Sequence, residues 1–323
     1  MGTAVPDVKV LYIAGYSRSG STLLDCLVGQ LPGFFSTGEL AYIWTHGLQE
    51  NRLCGCGSQF QACSFWTDVG EVAFGGWDRV DVDEMLQSQR AVNRHRFIPL
   101  LLQPELARRF EAKLARYADV LRSLYGAIAT VAGARVIVDS TIDPSYGFLL
   151  RRVPGLDLRL VHMVRDSRAT AFSWTRLQRR TDRVDAVVYQ RRFRPPATAV
   201  RWTIYHLLVH LLASRGLPAV LVRYEDLVRA PQPLLRRVAE HVGEDTGELG
   251  FVGDGEVELR ANHTVAGSLV RLRKGAVPVR LDDEWTREMA TNDRRLVTAM
   301  SWPLLRNYGY VGPDGAPAGA HDA

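Results

Sequence analysis

The sequence predicts an α/β fold, with a mostly parallel sheet covered by helices on both faces. Short β-branched runs recur at Val8 to Ala14, Arg135 to Val138, Leu158 to Val164 and Ala219 to Val222, and each reads as a buried strand. Stretches of helical period separate them. Strands alternating with helices assemble into parallel sheets, which collect ligands at the carboxyl ends of their strands. Size and composition agree: the chain has 323 residues, 46% of them hydrophobic and 23% charged, ordinary for a globular protein with a substantial core.

Taken in order, the first apolar run closes at Gly15 and a helical stretch follows from Leu23 to Gln30. Residues 40–85, rich in Gly, Cys and Trp and without a strong period, read as an irregular insertion that could form a lid. From Glu105 to Val131 a stripe of Leu106, Phe110, Leu114, Tyr117, Leu121, Leu124 and Ile128 marks a core-facing helix. The strand at Leu158 to Val164 leads through Arg165-Asp166-Ser167-Arg168 into a helix over Ala169 to Leu177. One domain is expected over residues 1–311. The Gly-, Pro- and Ala-rich tail 312–323 is expected to be disordered.

Forty basic residues against 35 acidic give a net charge of +5, which favours anionic partners without specifying them. All but Lys9, Lys113 and Lys274 of the basic residues are arginines, so the basic tracts read as composition and no nucleic-acid partner is indicated. No run approaches the roughly 20 apolar residues of a membrane helix. The N-terminus lacks the pattern of a secretory signal, so a cytoplasmic address is expected. Four cysteines are too few for a disulfide framework.

Chemistry concentrates at Gly15-Tyr16-Ser17-Arg18-Ser19-Gly20-Ser21-Thr22, between the first strand and its helix. Two glycines let backbone N–H groups converge on an anion, and a helix start adds unpaired donors and a positive dipole end. The spacing G-x-x-x-x-G matches the nucleotide-binding phosphate loop, but Ser21 stands where that loop carries Lys, and the cation has moved inside, to Arg18. Arg165 stands at a strand's carboxyl end. Late in the chain, Arg271-Leu272-Arg273-Lys274-Gly275 offers a second basic clamp beside a glycine.

In combination these stretches resemble the sulfotransferases that use 3′-phosphoadenosine 5′-phosphosulfate. Tyr16 to Thr22 is similar to the family's 5′-phosphosulfate loop, with Arg18 in its basic position, and Val164 to Ser173 to its 3′-phosphate motif, with Arg165 and Ser173 eight residues apart. Tyr224-Glu225-Asp226-Leu227 resembles the segment whose tyrosine lies beside the adenosine. Arg273, Lys274 and Gly275, with Trp285 downstream, resemble the C-terminal 3′-phosphate loop.

The resemblance implies a phosphate-loop-type three-layer α/β/α sandwich. It implies donor binding by Arg18, Ser19, Gly20, Ser21, Thr22, Arg165, Ser173, Tyr224, Arg273, Lys274 and Gly275. It also implies transfer of a sulfuryl group to a hydroxyl of a small-molecule, glycolipid or natural-product acceptor, by a scheme that requires no metal. Glu39 lies 21 residues after Arg18, similar to the spacing of the catalytic Glu in Golgi-type and tyrosylprotein sulfotransferases. A carboxylate there would accept the acceptor's proton; the same residue would equally serve the first turn of a helix capped by Ser36 or Thr37. One position departs from the family: Ile142, in Asp139-Ser140-Thr141-Ile142, stands where relatives often place a Lys. Arg18 and the loop amides are then expected to neutralise the transferring group. Two other readings remain: a phosphate-loop kinase with Asp139 as a magnesium ligand, and a catalytically idle nucleotide-binding protein.

Cys54, Cys56 and Cys63, with His46 upstream, could supply four zinc ligands, although C-x-C-x6-C is not a usual structural-zinc spacing. Free thiols or one disulfide are the plainer expectations. His263 precedes the basic clamp and could face the active site. Neither the acceptor nor the oligomeric state is specified.

Overall fold

The computed structural model describes residues 7–177, 179–183 and 188–312; the tail expected to be disordered lies, from residue 313 on, outside them. The first strand, β1 (Val8–Gly15), leads into α1 (Ser21–Val28) and then β2 (Phe34–Ser36). Four helices follow: α2 (Ser64–Phe74), α3 (Val82–Val92), α4 (Ile98–Leu102) and α5 (Arg108–Ala132). The chain re-enters the sheet as β3 (Val136–Ile142), crosses α6 (Pro144–Leu150), and continues through β4 (Leu156–Val164) into α7 (Ser167–Ser173). A two-residue ribbon pairs β5 (Arg179–Arg180) with β6 (Val188–Tyr189) ahead of α8 (Pro195–Ala213). Next come β7 (Ala219–Arg223), α9 (Tyr224–Arg229), α10 (Pro231–His241) and the hairpin β8 (Glu256–Leu259) with β9 (Gly275–Pro278). The last elements are α11 (Trp285–Glu288) and α12 (Thr291–Asn307).

The five-stranded sheet runs β2-β3-β1-β4-β7 with every pair parallel, confirming the α/β class. Alternation along β1 decides the layering, since successive side chains leave opposite faces. Val10, Tyr12 and Ala14 join a core with α5, α6 and α8, whereas Leu11 and Ile13 join one with α1, α10 and the β8–β9 hairpin. Because the chain leaves central β1 first toward β2 and β3 and later toward β4 and β7, the strand order reverses at β1. A crevice opens at the carboxyl ends on either side of such a point.

The four expected strands are all present. The fifth, β2, is only three residues long and has too little period to be read from sequence. Residues 40–85 are more regular than expected: they hold α2, the first turn of α3 and a π-helical turn at Ile43–Gln49, and their indole rings pack into the core. Trp44 and Trp66 are fully buried, and Trp44 Nε1 donates to Tyr117 Oη of α5 at 2.8 Å. The order of this segment comes from burying indole rings against a distant helix, which local periodicity does not record.

Candidate functional site

The chain after β1 turns through Arg18 (φ 73°) and Gly20 (φ 85°), both left-handed. Alternating handedness of this kind points successive N–H groups into one concavity. At position 20 glycine is required, since a Cβ would stand 2.6 Å from Tyr224 Cδ2 in a conformation L-residues rarely adopt. Helix α1 begins without a side-chain cap, leaving its first N–H groups and positive dipole end facing the loop. Ser19 Oγ is buried and has no hydrogen-bond partner among the described residues. A phosphate-type anion fits this donor set.

Arg165 closes the loop from the side of β4. Its Nη1 donates to Arg18 O at 3.1 Å, and its Nη2 donates to Asp282 Oδ2 at 2.9 Å and Asp282 O at 3.1 Å. The guanidinium lies 4.6 Å over the ring of Tyr224, whose hydroxyl donates to Arg280 O at 3.4 Å. Arg18, Gly20, Arg165 and Tyr224, read from four separate places in the sequence, therefore meet. The Arg18 guanidinium lies 5.4 Å over Trp174 and donates to Gln190 Oε1.

Glu39 is half-buried at the carboxyl edge of β3: Ser140 N donates to Gly38 O at 2.9 Å, and Glu39 N donates to Ala266 O at 3.1 Å. The same 264–268 segment reaches the cradle, where Ser268 N donates to Thr22 Oγ1 at 3.1 Å. One loop thus ties the candidate base to the phosphate cradle. The expected role of Glu39 in a capped first turn needs correcting. It precedes a short 3₁₀ turn, Leu40–Tyr42, and its side chain makes no capping hydrogen bond there.

The other expected residues make no hydrogen bond to Arg165 or Tyr224 among the described residues. Ser173 is buried at the end of α7, and no hydrogen bond joins it to Arg165 among the described residues. Arg273 and Lys274 are exposed, and Lys274 Nζ donates to Cys56 O at 2.9 Å, toward the cysteine loop. It is Arg280 and Asp282, just beyond β9, that touch Tyr224 and Arg165. No motif marked those two, because Arg280 meets Tyr224 across 56 residues and Asp282 meets Arg165 across 117.

Ile142 has φ 59°, an outlier for a β-branched residue at the end of a central strand. Beside it, His95 Nε2 pairs with Asp143 Oδ1 at 3.0 Å. That hydrogen bond raises His95 above its ordinary value and, against the effect of burial, holds Asp143 below its own. His95 also stands edge-on to Tyr205, which stands edge-on to Tyr16 of the loop at 5.2 Å.

Two buried carboxylates back the site. Asp139 accepts from Thr141 N (2.8 Å), Thr141 Oγ1 (2.6 Å) and Tyr125 Oη (2.5 Å); burial lifts it to about 6 against those bonds. Asp25 on α1 accepts from Ser36 Oγ, and burial lifts it to about 8. Both face the protein interior.

The three neighbouring cysteines gather with a histidine, and that histidine is His263 rather than His46. Their sulfurs and the His263 ring nitrogen all lie within 4.8 Å of one another. His46 instead stacks on Tyr42, with ring centroids 4.8 Å apart.

No family model matches the chain, and no curated protein matches it. Among solved structures it is similar to the sulfotransferase domain of the Synechococcus PCC 7002 olefin synthase. That likeness covers 93% of this chain and 97% of the other, with 19% identity and a TM-score of 0.46. It is also similar to the sulfotransferase STF9 from Mycobacterium avium over 74% of this chain and 65% of the other, with 14% identity and a TM-score of 0.41.

Proposed function

We propose that the chain transfers a sulfuryl group from 3′-phosphoadenosine 5′-phosphosulfate to an acceptor hydroxyl. The observation that carries this reading is the junction of an anion cradle at Arg18–Thr22 with Arg165 stacked on Tyr224. A loop for one phosphate, a guanidinium beside it and an aromatic ring suit a nucleotide carrying phosphates at both ends of its ribose. Arg165, with Ser173, Arg273, Lys274 and Gly275 as the further candidates, would serve the 3′-phosphate. Tyr224 would lie beside the adenosine.

In the reaction, Glu39 takes the acceptor's proton and the acceptor oxygen bonds to sulfur as the bridging S–O bond to phosphate breaks. Adenosine 3′,5′-bisphosphate leaves. Charge develops on the departing phosphate, where Arg18, Ser19, Ser21, Thr22 and the N–H groups of the loop and of Gly20 would hold it. By analogy with phosphoryl transfer, catalysis is then mostly positioning and charge stabilisation. Tyr16 of the loop packs against Trp174 and Tyr205, an aromatic cluster that holds the loop from behind.

A magnesium-dependent kinase is the poorer reading. Asp139, the carboxylate it would need, is fully buried and occupied by Thr141 and Tyr125. The test is transfer of labelled sulfuryl from the donor to a panel of phenols and alcohols. Glu39→Gln should lower single-turnover transfer by about 100-fold or more while donor affinity stays within about threefold. Transfer at the native rate in that variant would remove Glu39 from the mechanism.

A further inference from the structure

We propose that Cys54, Cys56, Cys63 and His263 form a structural zinc site that pins the 54–63 loop to the segment running from Asn262 to Ala266. Three thiols and one imidazole converge from parts of the chain some two hundred residues apart. His263 Nδ1 lies 3.2 Å from Cys63 Sγ and 3.8 Å from Cys54 Sγ, and Cys56 Sγ lies 3.8 Å from Cys63 Sγ. Bond lengths of about 2.3 Å to sulfur and 2.0 to 2.1 Å to nitrogen give a tetrahedron with edges of roughly 3.5 to 3.8 Å. The three separations sit at or near those edges. Three thiolates with one imidazole is also an established ligand set for structural zinc, closed to substrate. A disulfide explains the cluster less well: it would join two of the sulfurs and leave the third and the imidazole without a role.

The surroundings are built to hold these groups still. The His263 ring stacks on Phe65 at 4.9 Å, and its carbonyl accepts from Trp66 Nε1 at 2.9 Å. Gly55 N donates to Thr264 O at 3.0 Å, and a side chain at position 55 would run into Asn262. The buried Arg271 donates to Thr264 O at 3.0 Å and Leu53 O at 2.7 Å, bridging the two loops just outside the ligands. Three thiolates on one divalent cation leave a net charge of −1, and Lys274, held on Cys56 O, is a cation placed against it.

The consequence reaches the reaction centre. Beyond His263, Val265 N donates to Thr37 O at 2.8 Å and Ala266 O accepts from Glu39 N at 3.1 Å. A metal that fixes His263 therefore fixes the strand edge that presents Glu39. The zinc acts by positioning and takes no part in the transfer, which stays metal-free.

Elemental analysis of the full chain, purified under reducing conditions without added chelator, should find close to one zinc per chain, as expected of a site that binds metal with folding. Titrating the wild-type thiols with an organomercurial should release that zinc in step with modification, which needs no variant to fold. Cys56→Ser and His263→Ala should each cut the zinc content at least about fivefold, while His46→Ala leaves it unchanged. Cobalt substituted into the wild type should show the visible bands of a tetrahedral thiolate site. A zinc content below about one tenth per chain after incubation with zinc, with three reactive thiols still titratable, would overturn the proposal. So would a Cys56–Cys63 disulfide in the protein as isolated. None of these readouts depends on the donor or on transfer, so a failure here is separate from a failure of the sulfotransferase reading.

Discussion

Arg165 is the residue on which the proposed donor discrimination turns. It is buried, ion-paired with Asp282 and stacked on Tyr224, so a 3′-phosphate would exchange or share a partner already arranged to receive a guanidinium. Removing a charged hydrogen-bonding group costs about 1.5 to 3 kcal/mol, or roughly 10- to 100-fold in affinity. Arg165→Ala should therefore weaken adenosine 3′,5′-bisphosphate by that factor and adenosine 5′-phosphosulfate by no more than about threefold, measured by titration calorimetry. Equal losses for the two ligands would take the 3′-phosphate away from Arg165. Single residues were also the most legible part of the site. Gly20, Arg18 and Arg165 announce themselves through strand-end position and loop spacing. Asp282 carries no local mark, and His263, noted only for its place before the basic clamp, shows no sign of its cysteine partners, since each acquires its partner only when segments more than a hundred residues apart come together.

At the scale of elements, β-branched runs marked β1, β3 and β4, because strands buried on both faces must be apolar throughout; β7, read as buried for the same reason, is instead an edge strand in which only Val222 is fully buried. The helices between residues 64 and 92 were not legible, because they are ordered by burial of Trp66 and Trp44 and not by a clean stripe of their own. Helix α6 shows another long-range device. Asp143 caps it, accepting from Ser145 N at 2.8 Å, while His95 from the turn before α4 binds the same carboxylate. The lowered Asp143 adds stability above its ordinary value near pH 4, lost as pH falls through its folded value. The raised His95 adds stability below its ordinary value near 6.5, lost as pH rises through its folded value. The pair thus stabilises most between about pH 4 and 6.5. Asp143→Asn should lower the melting temperature clearly at pH 5.5 and by a smaller margin at pH 8.5. An equal drop at both pH values would mean that the cap alone, and not the ion pair, supplies the stability.

The whole molecule follows from one topological fact, the reversal of strand order at β1. It places the cradle after β1, Arg165 after β4, Glu39 beside β3 and Tyr224 after β7 at one end of one sheet. The long connection from β8 to β9 and beyond then folds over that end, carrying Ser268 to Thr22 and Asp282 to Arg165. Within the described residues no helix is long and apolar enough to cross a membrane. The central claim is that this end of the sheet recognises a nucleotide with a 3′-phosphate rather than a magnesium-bound triphosphate. It is tested most directly by comparing thermal unfolding with adenosine 3′,5′-bisphosphate and with ATP plus magnesium. At 100 times its dissociation constant a ligand stabilises the native state by about 2.7 kcal/mol. The bisphosphate should raise the melting temperature and ATP with magnesium should leave it unchanged; a rise with ATP and magnesium and none with the bisphosphate would contradict the account.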